Sequence, residues 1–310
     1  MAPELIQLEQ IDNHANEFFC VPGELWGQGH ATYGGYVAAS CYKAAKLAGH
    51  ERPLLSAQVN FLAPSAVNGY RLTVKPLRVG NGTSIVEVCS WSPNQKTPQD
   101  PDVLAAKILF TYGEPRGSNL HVRSKIDSDT MDALIEARAN TPDFRTEKSV
   151  TPNFLDGFHF RYTKGDRPFA NSNRLSHIFA FARKNGWSVN DPVEFLVLVS
   201  DISTPPQMQL LSALSPGSTM TWMLDIAQPL PNTLSDSSWL HVIVQLEHAA
   251  NGYGAHSGII VDEQGQVLSS TRQVTAVFER DDASASTKNF THQITGKGSR
   301  AFNSLEPGSR

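Results

Sequence analysis

The amino-acid sequence predicts an α+β fold built as a tandem repeat, two antiparallel sheets each wrapping a long central helix. Three observations carry that expectation. The chain says roughly the same thing twice: Leu54-Leu55-Ser56-Ala57-Gln58-Val59-Asn60-Phe61-Leu62-Ala63-Pro64 and Thr219-Met220-Thr221-Trp222-Met223-Leu224-Asp225-Ile226-Ala227-Gln228-Pro229 each lead to a strand, an Asn-Gly turn and two more strands. Pro64 and Pro229 are 165 positions apart, Asn81 and Asn251 are 170 apart, and Leu104 and Leu268 are 164 apart. An offset near half of 310 residues marks a duplicated domain. Each copy also holds one long helical stretch. Finally, the strands after each stretch follow one another across short connections, which makes a meander and not alternating βαβ units.

The elements follow in order. Gly34-Gly35 opens an Ala-rich helix, Tyr36 to Ala48, that Gly49 closes. Its small side chains let a sheet wrap closely around it. Strands are expected at Gln58–Leu62, Tyr70–Val79, Ser84–Ser90 and Val103–Tyr112, with Asn81-Gly82 as a hairpin turn at positive φ. Residues 114–150 are polar and read as an interdomain linker with one short helix, Asp129 to Ala139, placing Met131, Leu134 and Ile135 on one face. The first domain thus spans 1–113 and the second 151–281. Phe154–Tyr162 and Ile178–Ala182 are strands. Asp191-Pro192 starts the second central helix, Val193 to Asp201, with Pro at its first position. That stretch is apolar on nearly every side, so a buried strand is the competing assignment. Strands at Ser218–Ile226, Trp239–His248, Ala255–Val261 and Val267–Phe278 complete the repeat. Residues 282–310 lose all periodicity and are expected to be extended or disordered.

Composition narrows the function. The chain is 40% hydrophobic and 18% charged, with a net charge of −4. Its charges are dispersed without a basic stripe, which argues against nucleic acid as a partner. Cys20, Cys41 and Cys89 are too few and too scattered for a disulfide framework or a zinc site. No metal or other cofactor is expected. No apolar run approaches the roughly 20 residues of a membrane span. Met1-Ala2-Pro3-Glu4 lacks the basic and apolar regions of a signal peptide, and Pro307-Gly308-Ser309-Arg310 is not a peroxisomal tripeptide. A cytoplasmic protein is the expectation.

Three groups of residues resemble the acyl-CoA thioesterase II family, built as a double hotdog: Tyr33-Gly34-Gly35-Tyr36-Val37-Ala38-Ala39; Val59-Asn60-Phe61-Leu62-Ala63-Pro64 with Leu77-Arg78-Val79-Gly80-Asn81-Gly82-Thr83-Ser84; and Val199-Ser200-Asp201, Ser218-Thr219 and Ser270-Thr271-Arg272-Gln273. Their order and spacing agree with the internal repeat. The resemblance implies hydrolysis of an acyl thioester, on CoA or on a carrier, by a water held between Asp201, Thr219 and Gln273. Thr221 is the register alternative to Thr219, and strand alternation would put both on one face. The family often carries His where Gln58 stands and a basic residue where Ala63 stands. Gln58, Asn60, Thr221 and His30 are therefore candidates for shaping the pocket. Sheet packing of this kind leaves a homo-oligomer open.

The chemistry suits these groups. A thioester carbon is already electrophilic, so hydrolysis needs a positioned water, a proton acceptor and a home for an oxyanion. Asp201 would take the proton, while Thr219 and Gln273 would align the water. Gly34-Gly35 supplies a helix N-terminus with close approach, and the Gly35 N–H is the expected oxyanion donor. Each residue also has a plainer reading: a helix end for Asp201, a strand filler for Thr219, a solvent-facing side chain for Gln273 and a turn for the glycines. Other chemistries lack their signatures. The chain has no Gly-x-Ser-x-Gly elbow, its histidines lack metal-ligand spacing, and Asp156 and His159 are too close for a hotdog hydratase motif. A protein of this fold that binds, transfers or cyclises an acyl or polyketide-like chain without hydrolysis is the alternative. The first copy has only small residues where Asp201 stands in the second, and apolar Ile108-Leu109 where Gln273 stands. One composite site per chain is expected.

Overall fold

Twelve strands form one continuous antiparallel sheet whose order reads alike outward from its middle. The structure, a computed structural model, describes residues 4–12, 14–94, 96–144, 151–184, 187–188, 190–231, 234 and 238–279. The expected tail over 282–310 and the linker's residues 145–150 lie outside the described residues. The first half contains β1 (Leu8–Gln10), β2 (Glu17–Cys20), a two-stranded ribbon of β3 (Gly27–Gln28) and β4 (Ala31–Thr32), helix α1 (Gly34–Leu47), β5 (Leu54–Phe61), β6 (Tyr70–Val79), β7 (Thr83–Ser92) and β8 (Val103–Gly113). Helix α2 (Ser128–Asn140) follows. The second half contains β9 (Phe158–Lys164), β10 (Ser176–Arg183), α3 (Pro192–Val199), β11 (Gly217–Ile226), β12 (Leu240–Ala250), β13 (Tyr253–Val261) and β14 (Val267–Val277). The sheet order is β1-β2-β6-β7-β8-β5-β11-β14-β13-β12-β10-β9.

The seam is the pair β5 and β11, the two strands whose likeness exposed the repeat. Gln58 lies opposite Met223, and Asn60 opposite Thr221. Gln58 and Met223 are separated by the same 165 positions as Pro64 and Pro229. Gln58 therefore faces its own equivalent, and the flanking pairs Ser56–Asp225 and Asn60–Thr221 exchange equivalents, as a pseudo-twofold axis through the seam requires.

Both central helices lie under this sheet, side by side and antiparallel. Near the start of α1, the Tyr33 hydroxyl donates to the Leu198 carbonyl of α3 at 2.8 Å. At the other end, Lys46 pairs with Asp191 at 2.6 Å. Buried Ala38, Ala39, Ala44 and Ala45 give α1 the narrow profile that close packing needs. Gly49, at φ +91°, ends α1 in the left-handed conformation expected of a C-terminal glycine. α3 is a helix and not a strand. Asp191 caps it by accepting from the Val193 N–H at 2.9 Å, and Pro192 fills its first turn. Its residues Phe195 to Val199 are at most 2% exposed, each contributing about 1.5–3 kcal/mol by burial. Aromatic residues from both halves, among them Trp26, Tyr36, Phe158 and Trp187, join one core.

Two expectations change. Asn251-Gly252 turns with positive φ at both residues (+54° and +78°), but Asn81-Gly82 turns with neither in that region. The loop between β6 and β7 is still the expected two residues, since the Gly80 N–H bonds to the Thr83 carbonyl at 2.9 Å across Asn81-Gly82; only its backbone conformation differs. The stretch read as a linker also does more than connect. Asp127 caps α2, accepting from the Thr130 N–H at 2.8 Å, and Met131 and Leu134 cover the outer face of the second half at Ile178, Ile243, Ile259 and Val261. No helix among the described residues is long and apolar enough to cross a membrane.

Candidate active site

Asp201, Thr219 and Gln273 converge where the C-terminal end of α3 meets the N-terminal end of α1. Thr219 donates its hydroxyl to Gln273 Oε1 at 3.2 Å, and Gln273 Nε2 donates to Asp201 Oδ1 at 3.0 Å. The Gly35 N–H also donates to the Asp201 carboxylate. The result is an unbroken polar chain from β11 through β14 to both helix ends. Gln273 is 1% exposed, so its plainer reading as a solvent-facing side chain is excluded.

Local structure explains each placement. α3 ends at Val199, with Ser200 as its C-cap, so Asp201 stands just beyond the helix. Its carboxylate lies near the negative end of its own helix and at the positive end of α1. Burial pushes the Asp201 carboxyl up to about 7, against the hydrogen bonds from Gln273 and the Gly35 N–H, which pull it down. The glycines are a packing requirement. A Cβ at Gly34 would lie 2.6 Å from Asp201 Oδ2, and one at Gly35 would overlap the Leu198 carbonyl oxygen and crowd the Tyr33 ring. The Gly35 N–H, expected to receive an oxyanion, is instead directed at Asp201, because antiparallel packing sets the N-terminus of α1 beside the C-terminal end of α3.

A β-bulge decides between the two threonines. β11 pairs with β14 through Thr219–Thr275 and then Thr221–Val274, so Met220 is the extra residue. That insertion breaks the two-residue alternation. Trp222, Leu224 and Ile226 are buried, Thr221 is exposed, and Thr219 turns inward to reach Gln273. The expectation that Thr219 and Thr221 share a face is therefore wrong. Gln58 and Asn60 are exposed as well, on the outer face opposite buried Ala57 and Val59. His30 is exposed in the turn of the β3–β4 ribbon. None of Thr221, Gln58, Asn60 and His30 joins the polar chain.

Other residues near the cluster were not singled out from the sequence. Tyr33 stacks on Phe154 with ring centroids 3.9 Å apart while holding Leu198. His256, 1% exposed, stands directly across β13 and β14 from Gln273. Alternation along β13 would have turned His256 inward, but only the strand pairing puts it beside Gln273. Among the described residues, no group of three or more His, Cys, Asp or Glu is placed to hold a metal ion. The three cysteines are free and buried.

Two sheet halves around paired central helices define a double hotdog protein, and comparison with solved structures agrees. A hotdog-fold protein from Alicyclobacillus acidocaldarius superimposes with a TM-score of 0.70 at 18% identity, covering 89% of this chain and 97% of that one. An acyl-CoA thioesterase II from Mycobacterium marinum gives 0.64 at 13% identity, covering 91% and 98%. A polyketide synthase dehydratase domain from Brevibacillus brevis gives 0.58 at 12% identity, covering 90% and 99%. In sequence, residues 22–111 match the acyl-CoA thioesterase N-terminal domain and residues 133–277 the acyl-CoA thioesterase C-terminal domain. The chain belongs to the acyl-CoA thioesterase family and is a thioesterase-like hydrolase. No curated protein sequence matches it.

Proposed function

We propose that the chain hydrolyses an acyl-CoA thioester with a water activated by Asp201 and aligned by Thr219 and Gln273. The observation that carries this reading is the polar chain Thr219–Gln273–Asp201, anchored by the Gly35 N–H at the meeting of the two central helices. Asp201 in its carboxylate form accepts a proton as the water oxygen bonds to the thioester carbon. The C–S bond then breaks, and the thiolate leaves with the proton that Asp201 returns. No covalent enzyme intermediate is needed. Gln273 serves as a relay that fixes both neighbours. Its carbonyl is occupied by Thr219 and its amide by Asp201, so neither side chain is free to turn. Gly34 keeps the carboxylate's open side clear, and the Gly35 N–H seats the base, directed at Asp201 and not at an oxyanion.

Positioning of this kind is worth several kcal/mol of barrier, up to roughly 7–11 in ideal cases. The test is release of free CoA from a panel of acyl-CoAs, followed with a thiol reagent. Turnover that falls at least about tenfold in Asp201→Asn supports the reading. A flat trace with every chain would favour acyl transfer or cyclisation without hydrolysis.

A further inference from the structure

Beyond Gln273 the inner face of the second half changes character. α1 has 14 residues but α3 only eight, so a non-helical segment follows Asp201 where the first half has more helix. That segment ends in a short 3-10 turn, Pro206–Leu210, and lies against the sheet: Gln207 Nε2 donates to Thr275 Oγ1, and a Cβ at Gly254 would lie 2.6 Å from the same amide. The surface beneath it is polar. Neither ring nitrogen of His256 has a hydrogen-bond partner among the described residues, nor do Nε2 of His177 and Oε1 of Gln207. These side chains are 1%, 2% and 6% exposed respectively. His177 lies within electrostatic reach of His256, and its ring meets the edge of Tyr162 at 5.7 Å.

Buried polar atoms without partners are costly, and several together beside a reacting group point to a ligand that satisfies them. Burial holds both imidazoles neutral, with His177 pushed down to about 3 and His256 to about 4. A neutral imidazole offers one donor and one acceptor, and the Gln207 carbonyl adds an acceptor. An apolar chain leaves all of these unmet. A carboxylate would need a positive charge that neutral imidazoles do not supply. A ketone accepts only, so it leaves the acceptors facing nothing. A hydroxyl both donates and accepts. It also fits the position, because His256 is one strand removed from Gln273, about 5 Å along the sheet.

We propose that the acyl chain bound here carries a neutral hydroxyl a short way from the thioester carbonyl, held by His256 and Gln207 with His177 behind them. This deepens the thioester reading and rests on it for the placement of the carbonyl beside Asp201. The test uses non-cleavable thioether analogues of CoA with β-hydroxyacyl, δ-hydroxyacyl and unsubstituted chains of one length, measured by equilibrium binding. A hydroxylated analogue should bind at least about tenfold tighter than the plain one, since a site built around a hydroxyl rejects the analogue lacking it. His256→Phe, or separately Gln207→Leu, should bring that ratio close to one. Equal binding in the wild-type protein, no binding of any analogue, or a preference that survives both substitutions overturns the proposal. The wild-type ratio decides even if a variant fails to fold. Because a thioether is not cleaved, tight hydroxyacyl binding without thiol release from the matching ester would overturn hydrolysis and leave the chain preference standing. Equal hydrolysis of both esters together with equal binding would do the reverse.

Discussion

Replacing Asp201 with Asn gives the sharpest test, because the environment of this carboxyl sets both a rate and a pH dependence. Asn is nearly isosteric and keeps an oxygen for Gln273 Nε2, now 3.0 Å away, but it cannot accept a proton from water. Loss of a general base costs about 10²–10⁴ in rate. The wild-type profile follows from the raised carboxyl. With a value of about 7, half of Asp201 is ionised at pH 7 and roughly 1% at pH 5. kcat/KM, which reports the free enzyme, should therefore fall about 50-fold between pH 7 and pH 5. At the ordinary value of 3.8, roughly nine-tenths would remain ionised at pH 5 and the profile would be almost flat. The assay is initial-rate thiol release across pH 5–8, with near-ultraviolet circular dichroism confirming the fold of the variant. A wild-type profile flat down to pH 5 would refute the argument from burial. Activity in Asp201→Asn within tenfold of wild type would refute the base itself.

Further outcomes follow from the same geometry. Thr219→Val should lower kcat by about tenfold or more through loss of the bond to Gln273, while Thr221→Val, on the outer face past the bulge, should leave the rate within twofold; equal effects would contradict the bulge assignment. Gly35→Ala should destabilise the fold by about 1–3 kcal/mol or more in urea titration, since its methyl group meets the Leu198 carbonyl, and an unchanged midpoint would show that the helices yield freely. Tyr33→Phe should cost about 1–3 kcal/mol, because the buried Leu198 carbonyl loses its donor. Acid sensitivity should begin above pH 4.5. His177, His241 and His256 have values lowered by burial, so the unfolded chain takes up about three protons below pH 6.5 that the folded chain refuses. Asp201 and Glu194, both raised to about 7, oppose this by holding about two protons only in the folded state. The balance of about one proton predicts stability falling by roughly 1.4 kcal/mol per pH unit near pH 5.5, and constant or rising stability there would contradict it.

The sequence by itself determined the elements and the duplication, because both are local patterns that survive in one dimension. The Ala-rich run between glycines, the Asp-Pro helix start and the alternating strands reappear as α1, α3 and the meanders. The 165-residue offset reappears as the pairing of Gln58 with Met223. The sequence's resemblance to the acyl-CoA thioesterase II family pointed to Asp201, Thr219 and Gln273, and the first copy has small or apolar residues where Asp201 and Gln273 stand. Tertiary structure decided which groups meet. Alternation alone puts Thr219 and Thr221 on one face, and only the pairing of β11 with β14 reveals the extra residue that separates them. Nothing local says that the Gly35 N–H points at a carboxylate 166 positions away, or that His256 stands across from Gln273. Those contacts come from two helices packed side by side in antiparallel fashion and from strands paired across the sheet. Periodicity tells which side of an element is buried, but the partner on that side is chosen by the rest of the chain.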